Sequence, residues 1–281
     1  MTLFLLQFAG ELRKLFARPR TYLGFVAFAI VELLMPFLLE LDAVKGLFRG
    51  MIEQMGKSFD EYFSALTLAL IVMRATVFLI GALFIAMVAG DIVSKEVEDG
   101  TLRMLLSRPV SRFRILALKY LSTVVYTTLL AFFIGLASLG ASLLYEHPGG
   151  FFVFGIIEHI YAFHDFEPGL WRYLAVLPLL ALTLLTINST AFFFSCLNMK
   201  PAAATICTLS IFFVDYVLHG LPFFEPLESY FIAPRLSAWM HVFDRDLHWQ
   251  PIAENYILLL AADLTLFVLG WMSFERRDFK A

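Results

Sequence analysis

Charge is scarce in this sequence. Only 16% of its 281 residues are Asp, Glu, Lys or Arg, where a soluble domain carries about 25%. No block of basic residues occurs, and 21 basic against 24 acidic side chains leave a net charge of −3, which argues against nucleic acid as a partner. Cysteine is nearly missing: Cys196 and Cys207 both lie in apolar runs without metal-type spacing, which excludes a disulfide-stapled secreted module. No internal repeat and no low-complexity linker is visible. What the chain has instead is apolar. Hydrophobic residues make up 60% of it, 31 of them phenylalanine, and the mean hydropathy is +0.79. That is more than one soluble core of this length can bury, so a soluble enzyme and a disordered tail are both excluded. Most of the chain dissolves in lipid.

A hydrocarbon core of about 30 Å takes roughly 20 apolar residues as helix, because the backbone must satisfy its own hydrogen bonds there. Six stretches qualify: 22–41, 63–90, 113–145, 171–197, 202–218 and 253–274. The third is long enough to tilt or to project beyond the bilayer, and the fifth, beginning beside Pro201, is the shortest. The expected fold is an all-α integral membrane domain over residues 1–281, with 146–171 and 219–252 as its larger outer loops. With the amino terminus inside, segments 1–21, 91–119, 198–201 and 275–281 hold four, six, one and three Lys or Arg, and outer loops 42–62, 146–171 and 219–252 hold three, none and two. This bias predicts a multi-pass protein of the cell's inner (plasma) membrane with both termini cytoplasmic.

The first ten residues could pass for a signal peptide, but they lack a basic leading region, and Arg13, Lys14, Arg18 and Arg20 follow the apolar part. At helical spacing Gln7, Glu11, Lys14 and Arg18 form one polar stripe, with Leu5, Phe8, Leu12, Leu15 and Phe16 opposite. The pattern predicts an amphipathic helix over 3–17 lying in the inner interface and ended by Pro19. The alternative is the inner end of a longer first span.

The longest inner loop, residues 90–119, reads GDIVSKEVEDGTLRMLLSRPVSRFRILALK. Ser94 can cap a helix with Glu96, Glu98 and Asp99 near its positive end. Leu102, Leu105 and Leu106 add an apolar face, and Pro109 stops the run. A short amphipathic helix over 93–106 is thus expected, suited to docking against another protein. Glu98, Gly100, Thr101 and Leu102, then Leu105, Leu106, Ser107 and Pro109 through Arg112, followed by Lys119, resemble the signature of type-2 ATP-binding-cassette (ABC) export permeases. The similarity is strongest to the group that includes the nitrous-oxide-reductase maturation permease, and its layout of interfacial helix, six spans and signature loop covers the whole chain.

The resemblance implies a non-catalytic transmembrane subunit whose loop helix couples to a separate ABC ATPase. ATP and Mg would be held on that partner, with no cofactor on this chain, and a second permease copy would complete a homodimeric path. Glu96, Glu98 and Leu102 are then the expected transmitting contacts, Thr101 and Leu105 belong to the same coupling segment, and Gly100 permits a close approach or a helix distortion. Glu11, Lys14 and Arg18 mark the interfacial helix that lies against the same partner. Residues 50–58, GMIEQMGKS, nearly spell a phosphate-binding loop but place five residues between the glycines where four are needed.

Ionisable residues inside spans are costly and therefore candidates for function. Glu32, Arg74, Asp215 and Asp263 qualify, and a salt bridge from Arg74 to Glu32 or Asp263 is the expected structural use. The histidines (147, 159, 164, 219, 241 and 248) all fall in or beside outer loops, and Glu158, Asp165 and Glu167 accompany the middle ones. Their spacing matches no helical metal motif, so no metal is expected. With Phe151, Phe152, Phe154, Tyr161, Phe163 and Trp171, loop 146–171 is expected to be re-entrant or interfacial, serving as an outer gate or a partner dock. Thr183, Thr186, Asn188, Ser189, Thr190 and Ser195 either line a path or hydrogen-bond between helices. The rival functions are an ion-gradient-driven transporter using Glu32, Arg74 and Asp263, and a membrane-embedded enzyme using the outer-loop His and acidic residues.

Overall fold

The computed structural model describes residues 2–106, 110–155, 158 and 160–277. Helix α1 runs over Thr2–Phe16 and α2 over Pro19–Leu39, with Pro19 at the first turn of α2. Proline suits that position because the first helical N–H has no partner to lose. Two helices follow outside the apolar stretches, α3 at Asp42–Gln54 and α4 at Phe59–Tyr62. The second apolar stretch is built in three joined pieces, α5 at Ala65–Thr76, a π-helical turn at Val77–Gly81 and α6 at Ala82–Glu98. Short α7 at Thr101–Leu106 precedes α8 at Arg112–Ser142, whose first turn is capped by Ser111 Oγ accepting from Arg114 N at 3.3 Å.

After α8 come strands β1 (Phe151–Gly155) and β2 (Ile160–His164), then α9 at Phe166–Cys196 and α10 at Pro201–His219. A 3-10 segment at Pro222–Tyr230, α11 at Ala233–Leu236 and a second 3-10 segment at Ala238–Phe243 lead to α12 at Trp249–Arg276. Among the described residues five helices are long and apolar enough to cross a membrane: α2, α8, α9, α10 and α12.

Burial separates the centre of the bundle from its rim. Half of the most apolar window of α9 is buried, against 22% for α2 and α12 and 17% for α10. α9 packs against α6, α8, α10 and α12, and its hydroxyls bond its neighbours. Ser189 Oγ meets Tyr120 of α8 at 2.8 Å, Thr183 Oγ1 meets Tyr256 of α12 at 3.0 Å, and Ser195 Oγ accepts from Val93 and Ser94 N of α6. Asn188 accepts from Thr127 at 3.3 Å. Thr183, Asn188, Ser189 and Ser195 therefore serve helix-to-helix hydrogen bonding, while Thr190 Oγ1 donates to Thr186 O within α9 itself.

Two expectations change here. The segment 93–106 is not one helix: α6 runs on to Glu98, Gly100 takes a left-handed φ of +70°, and α7 begins at Thr101. Ser94 is no cap, since its hydroxyl donates to Gly90 O one turn back inside α6. Loop 146–171, expected to be re-entrant or interfacial, holds an antiparallel hairpin, with Phe151 opposite His164 and Gly155 opposite Ile160. A second aromatic cluster joins it to the preceding loop: Phe48, Ile52, Phe59, Tyr62 and Phe63 bury themselves with Phe152. Ser64 Oγ donates to Gly150 O at 2.6 Å, and Gly150 admits no side chain, because a Cβ would lie 2.7 Å from the Tyr62 ring.

His164 fastens the hairpin to the 3-10 segment before α12, with Nε2 2.8 Å from Phe243 O. Burial pushes its pKa below the ordinary imidazole value, the bond to Phe243 opposes this, and the nearby Arg172 charge lowers it further against a smaller opposing effect of Asp165. The folded chain thus holds fewer protons at this ring than the unfolded one, so the stability it confers is present above about pH 6.5 and is lost as pH falls. Melting curves of the wild type and His164→Gln should accordingly converge as pH drops from 7 to 5; a constant separation would show that the ring is not responsible.

Candidate functional site

The charged residues of α1 and of the inner loop meet at one end of the bundle. Glu96, near the end of α6, has a side chain only 2% exposed, and Lys119, in the second turn of α8, is fully buried. Their charged atoms lie 2.7 Å apart. Glu96 also contacts Lys14 Nζ, and Arg18 Nη2 stands 3.6 Å from the same carboxylate. Lys119 in turn donates to Glu11 at 3.1 Å. Three elements distant in sequence, α1, α6 and α8, are thereby tied by four ionisable side chains, with Arg18, just before α2, as a fifth. Burial alone would raise the Glu96 carboxyl, but the Lys119 ammonium, with Lys14, outweighs it and holds the pKa below the ordinary value.

This geometry reassigns several residues. The stripe Glu11, Lys14 and Arg18 turns towards the bundle rather than towards water, while Leu3, Leu5 and Leu6 are more than half exposed. Glu96, expected to touch a partner, is consumed inside the chain, and Leu102 is buried at 1% exposure. Glu98 does stay at the surface, paired to Lys95 at 2.9 Å. Its hydrogen bond and that of Asp99 raise the Lys95 pKa. Thr101 Oγ1 donates to Glu96 O at 3.3 Å, bracing the left-handed turn at Gly100, where no side chain is within reach of a Cβ. Gly100 therefore answers to backbone conformation and not to close packing. Met104 is 68% exposed on α7, and Leu105 is half-buried. Ser107 and Pro109 of the signature lie outside the described residues.

Among the intramembrane charges, Arg74 pairs with neither expected acid. Its Nη2 reaches Glu158 Oε2 at 2.7 Å and its Nη1 donates to Phe154 O at 2.9 Å, so it latches α5 to the hairpin. Glu32 is buried beside Ser138, and Asp263 beside Thr186 and Ser189. Asp215 accepts from the backbone N–H of Ile232 and Ala233 at 3.1 and 2.6 Å, a structural use at the start of α11. The relay of Glu32, Arg74 and Asp263 is not assembled.

The histidines are dispersed. His147 neighbours Glu146, His241 pairs with Asp244, His248 contacts Asp246 O, and His159 lies outside the described residues. Among the described residues no three His, Cys, Asp or Glu side chains converge as for a metal. Gly50 of the near-phosphate loop sits within α3, so its backbone N–H is committed to a helix. Sequence reasoning placed Glu158 only among the outer-loop acids and not opposite Arg74, and it missed Asp91, which pairs with Arg20 at 3.2 Å.

Removing one member of a buried ion pair leaves its partner charged and dry, at a cost of about 3–5 kcal/mol. Glu96→Gln should therefore destabilise the chain by about 3 kcal/mol in detergent unfolding, and the double change Glu96→Gln with Lys119→Met should recover much of that loss. Additive losses would mean that the two side chains are not coupled.

No curated protein matches the chain by sequence. The family described as "ABC-2 family transporter protein" matches residues 9–279, nearly the whole sequence, and the chain, with its membrane-length helices, therefore belongs to the ABC-2 transporter family.

Proposed function

We propose that this chain is the transmembrane subunit of an ATP-driven exporter, paired with a second copy of itself and powered by separate ABC ATPase subunits that hold ATP and Mg. On this reading the chain crosses the inner membrane six times, with the joined run of α5, the π turn and α6 as the second span and both termini cytoplasmic. Its place beside the nitrous-oxide-reductase maturation group belongs to the same proposal.

The observation that supports the coupling is the position of α7. It follows a left-handed glycine, carries the exposed Met104, and springs from the helix whose last turns hold Glu96. A push on α7 is therefore delivered to a side chain ionically bound to both α1 and α8. Glu98 and Met104 supply the contact surface towards the ATPase, Leu102 and Leu105 root α7 in the bundle, and the Glu96 node transmits the displacement. Such a rigid-body step between two packings is how ATP-driven closure would reorient the spans.

Co-expression of the tagged chain with a neighbouring ABC ATPase tests this directly. The wild type should retain the ATPase through purification, and Glu98→Arg with Met104→Arg should lose it. Glu96→Gln should keep the ATPase bound yet reduce the change in ATP turnover that accompanies assembly, by about tenfold for a lost charge-assisted contact of 1.4 kcal/mol. A stable permease that never recruits an ATPase would sink the proposal.

A further inference from the structure

Segment 90–119 has a second anchor, on the other side of α7 from Glu96. Arg112, the first residue of α8, donates from Nη1 to three main-chain carbonyls at the end of α12: Phe274 O at 3.2 Å, and Glu275 O and Arg277 O at 2.9 Å each. A cation at a helix amino terminus opposes that helix's own dipole, whereas at a carboxyl terminus it is favoured and meets carbonyls left open by the last turn. Arg112 is thus poorly placed for α8 and well placed for α12. Phe113 seats the contact edge-on, its ring centroid 5.2 Å from that of Trp271 and 6.1 Å from that of Phe267 on α12. The pattern repeats one step further on. Arg277, which follows α12, donates from Nη1 to Leu197 O at 3.1 Å and from Nη2 to Asn198 Oδ1 at 2.6 Å, closing the carboxyl end of α9. Two guanidinium groups therefore link the start of α8, the end of α12 and the end of α9 in series. The ion pairs of Glu96 run elsewhere, to Lys14, Arg18 and Lys119.

We infer that Arg112 and Arg277 are positioning residues of a second transmission route, by which movement of α7 reaches α12 and then α9. The inference rests on the exporter reading and adds to it where the motion goes. Glu96 stands before α7 and hands a displacement to α1 and α8. Arg112 stands after α7 and hands it to α12 and, through Arg277, to α9, the most buried of the membrane-length helices. A guanidinium suits this work because its planar fork fixes orientation as well as distance, where an ammonium acts as a point charge. Helix ends joined in this way shift together as one body.

Hydrogen–deuterium exchange of the full chain in complex with its ABC ATPase, with and without ATP, tests it. In the wild type, ATP should change exchange in peptides covering 270–277 and 190–198 as well as in α1. Arg112→Gln should abolish the change in the first two peptides and leave that in α1. Arg277→Gln should abolish it in 190–198 alone, and Glu96→Gln should silence α1 while 270–277 still responds. A cap that merely steadies α12 would, when removed, raise exchange there equally with and without ATP. That result would overturn the inference, as would an Arg277→Gln chain in which both peptides fall silent. Should Arg112→Gln fail to fold, Arg112→Lys, which keeps the charge without the fork, must still weaken the response at 270–277 and spare α1. A wild-type complex that hydrolyses ATP with no change at 270–277 would defeat this inference and leave the exporter reading standing. A wild-type chain that recruits no ATPase would remove that reading, and the inference with it.

Discussion

A charge in an apolar bundle must find its opposite, and this constraint decides how the end of the bundle around Glu96 is built. Lys119 is fully buried on α8 and Glu96 nearly so on α6. Neither would be tolerated alone, because withdrawing an ion from water costs several kcal/mol that only a close, well-placed counter-charge offsets. Once the two are paired, α6 and α8 are fixed in register at that point. The remaining charges follow: Lys14 and Arg18 approach the Glu96 carboxylate, and Glu11 approaches Lys119. Helix α1 is therefore held at its carboxyl-terminal end both by its polar stripe and by Leu15, which is buried in the core, while Leu3, Leu5 and Leu6 stay exposed.

The long apolar runs made the spans readable, because only helix satisfies the backbone in lipid and only length and hydropathy are needed to see it. Partner choice was harder to read. Arg74 lies in an apolar run, so the nearest acids to consider were those in other runs; its actual partner, Glu158, sits on the hairpin 84 positions away, and no local pattern announces a contact at that range. The hairpin itself was hidden by composition. FFVFG and IYAFH are apolar or aromatic almost throughout, without the alternation of polar and apolar residues that marks a half-buried strand.

Glu96 is a different case, since the signal was there. Ile85, Ala89, Ile92 and Val93 occupy one helical face and are buried, and Glu96 continues that face at the spacing of 3.6 residues per turn while Glu98 leaves it; Asp99 falls on the same side but lies at the helix end and is exposed. An acid on the continuation of an apolar face reads as an internal partner for some buried cation, and Lys119, in the second turn of α8, is that cation. Gly100 was legible as a signature residue, but its left-handed φ was not. Glycine adopts either hand in a chain, and only the direction in which α7 leaves α6 shows which one is used.

The two ends of the second apolar stretch now acquire a relation. Arg74, on α5, latches the outer hairpin, and Glu96, at the far end of α6, anchors α1 and α8. Between them the helix is wedged against α8, α9 and α10 over most of its length. Its one departure from regular α geometry is the π turn at Val77–Gly81. A π turn holds an extra residue in one turn of helix, and such turns are found often at functional sites. A displacement applied at Glu96 cannot be absorbed by bending segments that are packed on several sides, because close-packed interiors transmit strain. It must either stop at the ionic node or be taken up where the helix already deviates, one turn from Arg74, which ties α5 to the hairpin. The π turn is thus the place in this helix where its inner and outer halves can differ without breaking either anchor.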